Sequence, residues 1–142
     1  MSIKHKAAEL AFALVAIVPL AAIAQPAPIA VTSQARSVWI NPHNNVKVET
    51  GDCGGNLCGW VVWATPEAAQ DARDGGVQKL VGTELLQDYR QTARNAWQGR
   101  VFVPDMGKTF YSTITQVNPD ELRISGCIMG GLICKSQVWH KA

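Results

Sequence analysis

The chain has 142 residues, 13 basic and 11 acidic side chains, a formal net charge of +2 and a mean hydropathy of +0.01. Without residues 1–24, which carry Lys4, Lys6 and Glu9, the balance is 11 to 10. No clustered basic face is visible, so neither nucleic acid nor another charge-selected partner is indicated. The remaining 118 residues make one domain with a modest core.

Residues 1–24 read as a cleaved secretory signal. Lys4 and Lys6 form a positive start, an apolar run follows from Leu10 to Leu20, and Ala22-Ile23-Ala24 is an A-x-A cleavage site. The run is too short for a stable membrane anchor, which needs about 20 apolar residues. Residues 25–35, rich in Pro and Ala, read as a flexible leader to a domain spanning 36–142.

Val46, Val48 and Thr50 alternate with Lys47 and Glu49, and Gly59 to Trp63 has high β-propensity, so these segments form a hairpin. Cys53 and Cys58 bracket its turn. With Gly55 and Asn56 central in a two-residue turn, Cys53 faces Cys58 in the closely spaced class of cross-strand pairs, which suits a disulfide. Thr65, Pro66 and Glu67 supply a capping hydroxyl, a first-turn proline and a first-turn acid. They predict a helix over Pro66 to Asp74, stopped by Gly75 and Gly76.

Val77 to Thr92 is ambiguous: Val81, Leu85, Leu86 and Tyr89 are spaced like a helix, whereas Gly82 and Thr83 favour an extended entry. Beyond it the pattern is a four-stranded meander. Its strands begin at Trp97, Lys108, Glu121 and Leu132, with turns at Pro104 to Gly107 and Asn118 to Asp120. The last hairpin carries Cys127 and Cys134, whose spacing favours a four-residue loop from Met129 to Leu132.

An exported chain with four cysteines predicts disulfides, although three connectivities remain open. Zinc is disfavoured because the second pair is C-x₆-C and no histidine lies in either segment. Seven or eight short strands with one helix predict an all-β antiparallel barrel of up-and-down order.

No catalytic constellation emerges. Gly107-Lys108-Thr109 lacks the earlier glycine of a phosphate loop, since Phe102 stands there. His43 and His140 sit in a turn and near the chain end, and read as solvated. Asp105 reads as a turn former whose carboxylate caps backbone N–H groups. Asp120 and Glu121 are adjacent, so they project to opposite sides of a strand. Tyr111 shares a polar face with Thr109, Thr113 and Thr115, either a wet barrel wall or the outer surface, with the outer surface favoured.

The segments Trp97-Gln98-Gly99, Asp105-Met106-Gly107-Lys108 with Tyr111, Leu122 to Cys127, and Gln137-Val138-Trp139 together resemble the signature of a bacterial exported family, domain of unknown function 2147. Trp39 and the segment Cys53 to Gly59 resemble its opening strands. The resemblance implies a lipocalin-like barrel in the cell envelope, with Asp105, Gly107 and Lys108 as the family's turn motif. In lipocalins a first-strand tryptophan under a basic side chain closes one barrel end, which assigns that plug to Trp39 with Lys141 or Arg36.

The five tryptophans read first as core packing, and in the sharper alternative Trp60, Trp63 and Trp97, with Tyr111, are the candidate ligand-binding residues. The expected function is non-enzymatic binding of a small hydrophobic or amphipathic molecule in the periplasm, without metal or cofactor. The alternative is a filled barrel acting as an envelope scaffold, favoured if Ile128 to Ile133 forms an exposed apolar patch.

Overall fold

The computed structural model of the chain describes residues 37–142. The signal-peptide and leader assignments, and Arg36, therefore lie outside the described residues. Eight strands follow in order: β1 Val38–Ile40, β2 Val46–Asp52, β3 Leu57–Ala64, β4 Glu84–Ala93, β5 Ala96–Val103, β6 Lys108–Asn118, β7 Glu121–Ile128 and β8 Ile133–Lys141. Each pairs antiparallel with the next, and β8 returns to β1 through Trp39 opposite Lys141 and Ile40 opposite His140. The sheet is thus a closed up-and-down barrel, which leaves no edge strand unpaired.

One helix, α1 Pro66–Asp74, interrupts the strands. Thr65 caps it, accepting from the Ala68 N–H at 3.2 Å, as the threonine and proline predict. Both of its ends are tied to the same rim of the barrel. The Thr65 N–H donates to the Asn45 carbonyl at 2.9 Å, and Gly75 packs on the β5–β6 turn. That packing explains two glycines. A Cβ on Gly75 would collide with the Pro104 carbonyl, and one on Gly107 would lie 2.5 Å from the Gly75 oxygen. Gly107 also has φ +59°, so this turn glycine is required by both space and backbone.

The ambiguous stretch is not helical. Val77 to Thr83 is a loop anchored to β3, with the Gly82 N–H on the Val61 carbonyl at 2.7 Å and the Val61 N–H on the Thr83 carbonyl at 2.9 Å. β4 then carries a bulge at Asp88, φ +51°, where the pairing with β5 shifts register. The extra residue lets Leu86 and Tyr89, three apart, both enter the core, which imitates helical spacing in the sequence.

Both disulfides close within their hairpins, Cys53 to Cys58 and Cys127 to Cys134. The second follows the expected register, with Cys127 directly opposite Cys134 across a loop at Met129 to Leu132. In the first hairpin the expected register is corrected. Gly54 and Gly55, at φ +75° and +88°, are the central turn residues, and Cys58 faces Gly51 rather than Cys53. Two adjacent glycines enter the left-handed region more readily than Gly-Asn, so the turn closes one residue earlier. The cystine bridges a diagonal pair with Cα atoms 5.9 Å apart. Chain-entropy reasoning assigns each short bridge about 2 kcal/mol.

The lower barrel is solid. Trp39, Trp97, Tyr89, Leu57, Ile114 and Leu122 are all fully buried, and Thr50 organises the Trp39 end. Its hydroxyl accepts from the Trp39 indole N–H at 3.1 Å and the Ser37 N–H at 3.0 Å, and donates to the Ser37 carbonyl at 3.0 Å. A buried indole N–H needs such a partner, because an unmade bond costs about 1–3 kcal/mol.

Candidate functional site

The upper barrel is hollow. A cavity of about 580 Å³ opens at the rim formed by the β1–β2 loop, α1, the β5–β6 turn and the β7–β8 loop. Strand alternation builds its wall: Val46, Leu86, Val101, Phe110, Ile124 and Trp139 contribute apolar surface. Gly126 lies on the same wall as Ile124. A Cβ there would meet only Val101 Cγ1, at an ordinary 3.6 Å, so the missing side chain enlarges the space.

None of the four predicted ligand-binding residues lines this cavity. Tyr111 faces outward, 44% exposed, because Ser112, Ile114 and Gln116 take the inner face of β6. Trp60 is also outward, since Leu57, Gly59 and Val61 occupy the inner face of β3. The register shift between Lys47 and Val48 keeps Trp63 outside as well, with the Lys47 ammonium 5.4 Å from its ring centroid. Trp97 is inward but belongs to the solid half.

The plug assignment is changed in mechanism. Trp39 does fill one barrel end, yet its ring is held by Thr50. Among the described residues the cation–π contact is between Lys47 and Trp63 on the outer surface, so Lys141 does not supply the plug, and the Arg36 alternative lies outside the described residues. Lys141 is opposite Trp39 in register and exposed. Asp105 is likewise corrected. Its turn closes through the backbone, Met106 N–H to the Val103 carbonyl and Gly107 N–H to the Pro104 carbonyl, both at 3.2 Å. The residue lies among those lining the cavity at its rim. Lys108 begins β6, exposed, with no helix after it to form a phosphate site.

Sequence reasoning missed the β8 wall. Ile133, Lys135, Gln137 and Trp139 all line the cavity, and their spacing of two was the available signal. Trp139 donates its indole N–H to Gln137 Oε1 at 3.1 Å. His43 lines the mouth and is exposed, whereas His140 pairs with Glu121 at 3.5 Å on the surface. The sulfurs of Cys53 and Cys58 and the Glu84 carboxylate lie within 4.8 Å of one another. Joined as a cystine, those sulfurs offer no thiolate to a metal.

Among the described residues one titratable group is strongly perturbed. Burial pushes the Tyr89 phenol well above its usual value of about 10, and the Ser112 hydroxyl beside it acts in the opposite direction. The folded state therefore holds this proton more tightly than the unfolded chain. Its contribution is fully present below pH about 10 and is lost as pH rises from there towards the folded value. Alkaline unfolding is expected to begin above pH 10, and Tyr89→Phe is expected to flatten that limb in circular dichroism. An unchanged alkaline limb in the variant would refute the assignment.

Among the described residues no helix is long and apolar enough to cross a membrane. The family model described as "Uncharacterized protein conserved in bacteria (DUF2147)" matches residues 37–141. No curated protein matches the chain. Among solved structures, the Helicobacter pylori protein HP1028, described as belonging to the lipocalin family, superposes with a TM-score of 0.61 at 14% identity. The match covers 76% of this chain and 82% of that one, and it shows a shared barrel fold.

Proposed function

The chain belongs to the DUF2147 family of uncharacterised bacterial proteins, and from that premise we propose that it is an exported, non-enzymatic carrier of one small hydrophobic or amphipathic molecule. The observation that carries this reading is the cavity. A space of about 580 Å³, apolar in its walls and open at one end, falls in the range of small-molecule sites, about 300–1,000 Å³. Two cystines support an oxidising compartment such as the periplasm, in line with the signal-like residues 1–24.

Native mass spectrometry of protein purified from its own periplasm without detergent tests the reading. A reproducible added mass that disappears on denaturation is expected. Gly126→Phe places a ring in the cavity from a position with room for its Cβ, and is expected to abolish that added mass while leaving the melting temperature unchanged or raised.

One observation favours a second reading, contact with a protein or cell-wall partner. The tip of the β7–β8 hairpin exposes Ile128, Met129, Leu132 and Ile133, with Leu132 at 82%. Such a stapled apolar tip at the cavity rim is unusual surface for a chain that works alone. A bare monomer mass in the same experiment would move the assignment to this reading.

A further inference from the structure

We propose that the cavity selects a carboxylate-headed amphiphile and holds its head on Lys135 and Gln137 of β8. The inference rests on the carrier reading above and deepens it by naming the ligand's charge and orientation.

The argument begins with strand geometry. Lys135 and Gln137 are two residues apart, so both project to the same face, with Cα atoms about 6.8 Å apart. That face is the inner wall, because Ile133 and Trp139 flank them in the same alternation and all four line the cavity. Lys135 stands directly opposite Gly126, which contributes no side chain to compete for the space. Among the described residues the Lys135 ammonium has no ion-pair partner. The Gln137 carbonyl oxygen is already taken by the Trp139 indole, which leaves the Gln137 NH₂ group as a donor. The wall therefore carries two donor side chains, an ammonium and an amide, two residues apart on one face of β8, and both call for an acceptor.

Apolar surface continues from that pair. Ile124 faces Gln137 across the β7–β8 ladder, and Leu86, Val101 and Phe110 continue the wall. An alkyl chain anchored by its carboxylate at Lys135 would lie against them. Phosphate or sulfate heads carry similar charge, but one ammonium and one amide match the two oxygens of a carboxylate. Two acids also line the cavity, Asp71 on α1 and Asp105 on the β5–β6 turn, and both are exposed. They belong to the helix-and-turn side of the rim, whereas the donor pair lies on β8, two strands round from β6.

Calorimetric titration of the full mature protein with dodecanoate, 1-dodecanol and dodecylamine, each below its aggregation threshold, tests the proposal. Dodecanoate is expected to bind at least tenfold more tightly than dodecanol. Lys135→Met is expected to remove about that tenfold advantage and to weaken dodecanol, which accepts from the same donors without a charge, far less, with the melting temperature unaltered at this exposed position. Equal affinity for dodecanoate and dodecanol, or an advantage that survives Lys135→Met, would overturn the head-group site while sparing the carrier reading. Preference for dodecylamine would place the head on Asp71 and Asp105 instead. No binding of any of the three would overturn both.

Discussion

A Gly99→Val variant is expected to lose about 3 kcal/mol or more of folding stability. Gly99 is on the inner face of β5, and a Cβ there would lie 2.7 Å from the Gln87 carbonyl oxygen, 2.7 Å from Tyr89 Cγ and 2.8 Å from Tyr89 Cα. Two of those three atoms are backbone, so no side-chain rotation relieves the clash. The β4–β5 pairing itself must open. Overpacking of a core commonly costs about 1–3 kcal/mol, and a collision with main chain falls at or beyond the upper end. For a domain whose total stability is of order 5–15 kcal/mol this is a severe loss. Gly126→Ala is the matched control, because its new Cβ makes only ordinary contact. Urea unfolding of the two variants measures the difference. A Gly99→Val midpoint equal to that of Gly126→Ala would show that β4 does not lie as close to Gly99 as described.

The second large effect is at Trp39. Trp39→Ala removes a fully buried ring and is expected to cost about 3–5 kcal/mol. Trp39→Phe keeps much of the ring but loses the indole N–H on Thr50, and is expected to cost about 1 kcal/mol from that bond, plus a smaller packing loss. Thr50 remains engaged with Ser37 in that variant. Lys141→Ala is expected to change stability by less than about 0.5 kcal/mol, as exposed substitutions usually do. This ordering separates a ring anchored by a hydrogen bond from one capped by a cation. A Lys141→Ala loss comparable to that of Trp39→Phe would restore the cation–π plug.

Local signals in the sequence determined a good part of the fold. The helix over Pro66 to Asp74 is set by Thr65 and Pro66, whose capping and φ preferences act within one turn. The meander from β5 to β8 is set by period-two alternation between turn residues, and the loop at Met129 to Leu132 by the cysteine spacing. Each is a short-range property, so the chain's order alone suffices. The barrel class followed from counting such strands.

Tertiary structure decided the rest, and the reason in each case is register. The Asp88 bulge turned an apparent helical spacing into two inward strand residues, and the shift between Lys47 and Val48 kept Trp63 outside. Gly54 and Gly55 closed the first turn one residue early, so the cystine joined diagonal positions rather than facing ones. Because side chains alternate with period two, a one-residue shift exchanges the wet face for the dry one. The core-packing reading of the tryptophans therefore holds for Trp39 and Trp97, and the ligand-lining alternative does not hold for Trp60, Trp63, Trp97 or Tyr111. Large rings fill the closed half of the barrel, where volume must be occupied, while the cavity wall is made of Leu, Val, Ile, Phe110, Trp139 and the gap left by Gly126. Which wall faces the space depends on closing β8 onto β1, a contact between the ends of the domain that no local pattern encodes.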